Sequence, residues 1–243
     1  NGTGVLQDTA LPFNTGSAAL IITTTIDQTN KLVVAGNYDT GSQLTRYNVT
    51  GTPRDASFGS SGVVFNSLEP TATINKVINK GTGYLVAGVS NTDQFTVAAY
   101  TSSGEANTSF NTTGTVVEAL VGASAAYDML LNGTALAVSG YTNTNKSSVI
   151  NYNSETGARN TSLGDQGLQI FNQYSPGIIY GINNTTGTTR YGAGKNSNEA
   201  FVGPLGDTSG LLQDTASPFN TGYAGLITTT TIDQSGKLLA GGN

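Results

Sequence analysis

Apolar and β-branched residues along this chain come in short runs, each bounded by Gly, Asn or Ser, and such runs are strands. In one stretch they read VVFN (63–66), TATINKVIN (71–79), YLVAGVS (84–90) and FTVAAYT (95–101). The next stretch gives TVVEAL, AYDMLL, ALAVSGY and SVINYN, and the one after gives LQIF, GIIYGI, TRYGAG and EAFVGPL. Four strands per stretch are expected. The links between the second and third of them, NKGTG, NGT, NNTTG and DQTNK, carry the Gly and Asn that hairpin turns require. The third strand is apolar on consecutive residues (Leu32-Val33-Val34-Ala35, Leu85-Val86-Ala87) and is expected to be buried on both faces. The fourth alternates (Phe95, Val97, Ala99 against Thr96, Ala98, Tyr100), and Pro204 within it suits an outermost strand.

The pattern repeats. Apolar runs end in glycine at Gly36, Gly88, Gly140, Gly194 and Gly241, so successive steps are 52, 52, 54 and 47 residues. A second marker is the tyrosine closing another run, at Tyr47, Tyr100 and Tyr152, with Leu205 in the fourth copy. The third is a polar phrase, RDASFGSSG (54–62), ANTSFNTTG (106–114) and RNTSLGDQG (159–167). A period of this length signals a repeat architecture. The units run over approximately 4–50, 51–103, 104–156 and 157–209, with a partial fifth over 210–243, in a single repeat-built β domain. The expected fold is all-β, a β-propeller-like array of four-stranded antiparallel blades, about four units plus a partial fifth. A β-solenoid-like stack of the same units is the alternative.

The polar phrase is expected to lie between the last strand of one unit and the first of the next. Asp55, Asn107 and Asn160, with Ser57, Ser109 and Ser162, are suited to bond loop backbone N–H groups. Phe58, Phe110 and Leu163 are suited to pin each loop onto the core. Gly62, Gly114 and Gly167 close the phrase where a Cβ would be forbidden. The phrase at Asp55, Ser57, Phe58, Gly59 and Gly62, together with KLVVAG from Lys31 and SGKLLAG from Ser235, resembles the delta-60 repeat family of β-propeller proteins. The third copy departs from that pattern with Asn107 and Asn111, the fourth with Asn160 and Leu163. The resemblance implies a propeller of large secreted or surface proteins and transfers no catalytic site.

Residues 4–37 and 210–243 match at an offset of 206, with about 24 identities over 34 positions, including QDTA, PFNTG and TTIDQ, and share an extra pair, Leu11-Pro12 or Ser217-Pro218, before the closing Gly16 or Gly222. In both end copies the first strand is expected to be shortened. The last unit is expected to stop after a third strand, leaving an edge that invites pairing with another chain. Three readings follow: a piece of a longer array, completion by another subunit in a head-to-tail ring or filament, or a closed ring with one blade incomplete.

Composition narrows the function. Only 10% of residues are charged and the net charge is −5, so no basic stripe exists for nucleic acid. Cys, His and Trp are absent, which removes disulfides, thiolate metal sites and imidazole chemistry. No catalytic, cofactor-binding or metal residue is assigned. Glu118, Asp128, Asp165 and Glu199 are the carboxylates a hydrolase would need, and Asp165 or Asp207 would be the weak calcium candidates. Thr and Asn supply about a quarter of the chain, a surface-protein composition, and an extracellular or cell-surface location is expected. The chain opens NGTGVLQD, without a basic head or apolar run. The longest apolar stretch, Ala18 to Ile22, is too short to cross a membrane.

Asn-x-Ser/Thr acceptors occur at Asn1, Asn48, Asn107, Asn111, Asn132, Asn145, Asn160, Asn183 and Asn184, most of them in expected turns. Tyr38, Tyr174 and Tyr223 are expected loop aromatics that could stack on sugars. The function expected first is a non-enzymatic extracellular structural protein that self-associates into a filament or ring. The alternative is a glycan- or protein-binding propeller module of a larger secreted protein. Its own copies and glycans are the expected partners.

Overall fold

The computed structural model describes residues 19–38, 41–48, 54–70, 72–143, 145–184, 189–196, 199–207, 219–220, 225–233, 235 and 237–242. Among these the chain is all-β apart from one 3-10 turn, Asn172–Tyr174. The first sheet holds β1 (Ala19–Ile26), β2 (Leu32–Tyr38), β3 (Gly41–Tyr47) and β4 (Val63–Pro70). The second holds β5 (Thr73–Asn79), β6 (Gly83–Val89), β7 (Phe95–Thr101) and β8 (Thr115–Val117). The third holds β9 (Ala125–Asn132), β10 (Ala135–Thr142), β11 (Lys146–Asn153) and β12 (Leu168–Ile170). The fourth holds β13 (Gly177–Asn184), β14 (Thr189–Asn196), β15 (Ala200–Asp207) and β16 (Phe219–Asn220). In the fifth, β17 (Ile227–Ile232) pairs with β18 (Leu238–Gly242). Each is an antiparallel meander in chain order.

The period is as read, but the sheets are phased differently. VVFN does not open a sheet with the strand that follows; as part of β4 it pairs back onto β3, through Gln43–Phe65, Leu44–Val64 and Thr45–Val63. The polar phrase is therefore a loop inside each sheet, not the crossing between sheets. Its short, Gly-closed geometry returns the chain to the strand it has just left. The crossings fall instead between β4 and β5, β8 and β9, and β12 and β13. FTVAAYT is consequently a third strand, covered on both faces rather than wetter on one. Pro204 also sits in a third strand, β15, which among the described residues pairs with β16 at Phe201 and Val202. The ends that repeat one another, with Leu11-Pro12, Ser217-Pro218, Gly16 and Gly222, lie outside the described residues.

The core lies between sheets. One cluster joins Val33, Ala35, Leu44 and Phe58 of the first sheet to Ile74, Val77, Tyr84 and Val86 of the second. A second joins Leu85, Ala87, Phe95 and Phe110 to Ala126, Met129, Leu136 and Ile150 of the third. A third joins Ala137, Val149, Phe171 and Tyr174 to Ile179, Ile182 and Leu205 of the fourth. The last and smallest joins Ala193 and Ala200 to Ile227 of the fifth. No sheet buries its apolar face within itself, which is why the middle strands are apolar on consecutive residues. Each fully buried Leu, Ile or Phe contributes roughly 1.5–3 kcal/mol, so every sheet depends on its neighbours.

The glycine that ends each apolar run answers to a bulge in the first strand. Opposite it the ladder skips one residue, between Ile21 and Thr23, Ile74 and Lys76, Ile179 and Gly181, and Ile227 and Thr229. In the third sheet the skipped residue is Tyr127, between Ala126 and Asp128. The bulge drives a carbonyl against the glycine: a Cβ at Gly36, Gly88, Gly140, Gly194 or Gly242 would lie 2.0, 1.9, 1.9, 2.0 or 1.8 Å from that oxygen. The fifth glycine of the series is thus Gly242, not Gly241, in agreement with the offset between the chain's two ends. Gly140→Val is expected to lower the unfolding free energy by roughly 3 kcal/mol or more. Gly133→Asn, at a turn with φ of 58° and open space around it, is expected to cost about 1 kcal/mol or less. Denaturant titration of the two variants measures the contrast.

Candidate functional site

The repeated phrase forms the same loop three times. The Asp55 Oδ1 accepts from Ser57 N (3.2 Å) and Ser57 Oγ (2.7 Å). Asn160 Oδ1 accepts from Ser162 N (3.3 Å) and Ser162 Oγ (2.7 Å), and Asn107 Oδ1 from Ser109 N (3.2 Å). Phe58, Phe110 and Leu163 are buried beneath the loops. Gly62, Gly114 and Gly167 take φ of 93°, 84° and 86°, and their carbonyls accept from Arg46, Ala99 and Asn151 of the third strands. These residues build the scaffold rather than a ligand site.

At the first of these loops a buried ionic cluster joins the first two sheets. Arg46 pairs with Asp55 at 2.7 Å and donates to the Tyr84 hydroxyl (3.2 Å) and the Ser102 carbonyl (2.5 Å). Tyr84 in turn donates to Asp27 Oδ2 (2.8 Å), and Lys31 reaches Asp55 at 2.6 Å. The Arg46 guanidinium also lies 4.8 Å from the Phe58 ring centre. Burial raises the pKa of the Asp55 carboxyl, but hydrogen bonds from Lys31 and Ser57 and the Arg46 charge outweigh it and hold the group well below the usual carboxylate range. At the matching place between the second and third sheets stand Ala99 and Leu136; between the third and fourth, Arg190 donates to Asn151 Oδ1 (2.7 Å) and Gln169 Oε1 (2.8 Å). The repeat tyrosines staple neighbours as well: Tyr100 donates to the Ser67 carbonyl of the preceding sheet, and Tyr152 to Glu118 Oε1 at 2.7 Å.

A different part of the molecule has the form of a binding site. The first strands of all five sheets line one cavity of about 360 Å³, with Ile22 and Thr23 from β1, Asn75 and Lys76 from β5, Tyr127 and Asp128 from β9, Tyr180 from β13, and Thr228 and Thr229 from β17. Ile22, Asn75, Tyr127, Tyr180 and Thr228 are the bulge residues, freed from the ladder and aimed at the cavity, a common use of bulges. Tyr127 and Tyr180 meet edge to face, 4.6 Å between ring centres at 63°. Tyr141 lies 6.2 Å from Tyr127. Burial, then the neighbouring Tyr180 and Tyr141, push the Tyr127 hydroxyl up to about 12, so all three hydroxyls stay protonated at neutral pH. Asp128 accepts from Lys76 (2.7 Å), from Met129 N (2.9 Å) and from Ile182 N (3.0 Å). Asn75 donates to the Ala126 carbonyl at 2.7 Å, tying β5 to β9. This cavity was not read from the sequence. Its signal was the position after the apolar glycine partner, which reads Ile, Asn, Tyr, Tyr and Thr along the copies.

The remaining candidates scatter. Glu118 is engaged by Tyr152 and Arg159 between the second and third sheets, away from the cavity that Asp128 lines. Among the described residues no three carboxylates gather in a way that could hold a metal ion. Tyr174 is not a loop aromatic: it is fully buried, stacked on Phe201 at 4.3 Å, with its hydroxyl on the Pro204 carbonyl (3.0 Å). Tyr38 ends β2, and Tyr223 and Asn1 lie outside the described residues. Among the acceptor asparagines, Asn132, Asn145 and Asn160 are exposed. Asn107 is half-buried, as is Asn184. Asn48 Nδ2 donates to the Arg54 carbonyl (3.4 Å), Asn111 Nδ2 to the Thr115 carbonyl (2.7 Å) and Asn183 Nδ2 to Thr230 (2.9 Å).

No family model matches the chain, and no curated protein matches it. Among solved structures the chain is similar to the extracellular domain of a hybrid two component system from B. thetaiotaomicron, at 12% identity and a TM-score of 0.45. That alignment covers 95% of this chain and 31% of that one, so the chain spans about a third of its length. None of the described helices is long and apolar enough to cross a membrane.

Two outcomes follow from this geometry. Because Asp55 is depressed in the folded state, its contribution is present above the unfolded carboxylate pKa of about 4 and is lost as the pH falls below that value. Asp55→Asn is expected to flatten the stability profile between about pH 4 and pH 2 and to cost roughly 2 kcal/mol at neutral pH by removing the nearer of the two buried carboxylates beside Arg46, the other being Asp27 at 3.6 Å. Thermal melts across that range measure both effects. If the chain is secreted through a glycosylating pathway, peptide mass spectrometry is expected to find sugar at Asn132, Asn145 and Asn160 ahead of Asn183, whose amide is committed to the next sheet.

Proposed function

We propose that the chain is a non-enzymatic extracellular structural repeat protein whose sheets stand as blades around one axis, in the manner of the delta-60 propellers, and which joins its own copies head to tail. The blade arrangement is supported by the cavity that the five first strands share. A non-catalytic role and an extracellular location are supported by the lack of His and Cys and by the sparsely charged composition.

Self-association rests on one observation. Ile21, Ile74, Ala126, Ile179 and Ile227 occupy the same place in five sheets, each paired with the run-ending glycine. Four of them are 0%, 0%, 0% and 8% exposed, each packed on the preceding sheet, whereas Ile21 is 49% exposed, with Leu20 beside it at 66%. The complementary bare surface is on the fifth sheet. Leu239 is 52% exposed, although its equivalents Val33, Leu85 and Ala137 are buried by the sheet that follows. The two surfaces are halves of the contact already made between consecutive sheets. Joining them between copies gives a heterologous interface, which builds rings or open fibres.

Light scattering coupled to size exclusion is expected to show a mass that rises with protein concentration. Ile21→Asp and Leu239→Asp, both at exposed positions, are each expected to return the protein to monomer without lowering its melting temperature. A wild-type chain that stays monomeric at every concentration would overturn the reading.

A further inference from the structure

We propose that the axial cavity is a binding site for the ring of a neutral carbohydrate. This goes beyond the structural role above and does not depend on self-association. Three observations carry it.

The first is where the sequence of the repeat is allowed to vary. Around each bulge the scaffold is constant: an apolar residue pairs with the glycine, and the carbonyl of the residue before it presses on that glycine's Cα. The next side chain is outside the ladder, and at Asn75 its amide reaches the Ala126 carbonyl of the neighbouring sheet. Those five positions carry Ile22, Asn75, Tyr127, Tyr180 and Thr228, and all five face one cavity. Chemistry placed on a rigid ring of bulges is positioned as binding groups need to be.

The second is the kind of surface these residues make. Tyr127 and Tyr180 form an angled aromatic wall on one side. The rest of the lining offers the Asn75 amide and the hydroxyls of Thr23, Thr228 and Thr229. Asn75 Nδ2 is held by the Ala126 carbonyl, which orients its acceptor oxygen. A pyranose has the matching division: C–H groups on its ring faces, which pack on aromatic rings, and hydroxyls around its rim, which donate and accept as amides and threonines do. The volume of about 360 Å³ lies at the small end of ligand pockets, which run from about 300 to 1,000 Å³.

The third is charge. Lys76 and Asp128, the charged side chains lining the cavity, are paired at 2.7 Å. Asp128 is further engaged by two backbone N–H groups. The cavity therefore presents no net charge to a ligand, which favours a neutral sugar over a uronic acid or an amino sugar. The Lys76 ammonium has three N–H groups and gives one to Asp128, so it can donate to a hydroxyl without becoming an anion site.

The test uses the intact chain on an array of neutral, acidic and amino-sugar glycans, followed by calorimetry with the strongest neutral sugar. Saturable binding of a neutral sugar is expected. Tyr180→Ala is expected to weaken it at least about tenfold, and Tyr180→Phe to retain it. Thr229→Lys, a change at an exposed rim position that leaves the sheet contacts alone, is expected to weaken binding with an unchanged melting temperature, so the result holds even if Tyr180→Ala does not fold. Absence of saturable binding by every neutral glycan, preference for charged sugars, or binding indifferent to Tyr180→Ala and Thr229→Lys would each overturn the proposal.

Discussion

The structure depends on apolar contact between consecutive sheets. A four-stranded sheet of this size has two faces and no interior, and the buried faces here are hidden by the sheets before and after along the chain. The four clusters that run from Val33 to Ile227 are the four seams of that arrangement. Stability is thus a property of neighbours, as in other repeat proteins, where each unit cannot bury its own face. The fourth seam is the slightest, resting on Ala193, Ala200 and Ile227, because β17 presents threonines where other sheets present Val77, Met129 and Ile182.

Apolar seams alone would make the sheets interchangeable. The polar groups set into them do not allow it. At one place in the seam the pairs are Arg46 with Tyr84, Ala99 with Leu136, and Asn151 with Arg190. Exchange of neighbours would set the Arg46 guanidinium against Leu136, and an unpaired buried charge costs several kcal/mol. The tyrosine staples from Tyr100 and Tyr152 reach different acceptors, the Ser67 carbonyl and the Glu118 carboxylate. Order along the chain is therefore written in a few buried polar contacts, while cohesion comes from the greasy surface around them.

Much of the architecture was legible in the residues, and the reason is local. Gly62, Gly114 and Gly167 close loops whose internal bonds run between residues two to four apart, so the phrase that contains them announces its own conformation. Double burial of β2 and β6 follows from apolar residues in succession. The phase of the sheets was harder. VVFN suits a strand beside either neighbour, and the ladder to Gln43, Leu44 and Thr45, continued by the hydrogen bonds of Arg46 to Gly62 and of Asp55 to Arg46, draws it back to the preceding strand. The shared cavity was harder still, since its walls come from residues such as Asn75, Tyr127 and Tyr180, about fifty positions apart.

What the sequence by itself determined is the rhythm: short strands, positive-φ turns, a glycine near the end of each apolar run, and loops of one repeated design. Those features are dictated by sterics and hydrogen bonds within a few residues or across one ladder. The tertiary structure alone decided which strand closes which sheet, that Tyr174 is core and not surface, and that five bulges face a common space. These depend on where whole sheets come to rest against one another. Such placement follows from the summed fit of many side chains, none of which carries the answer in its own neighbourhood of the chain.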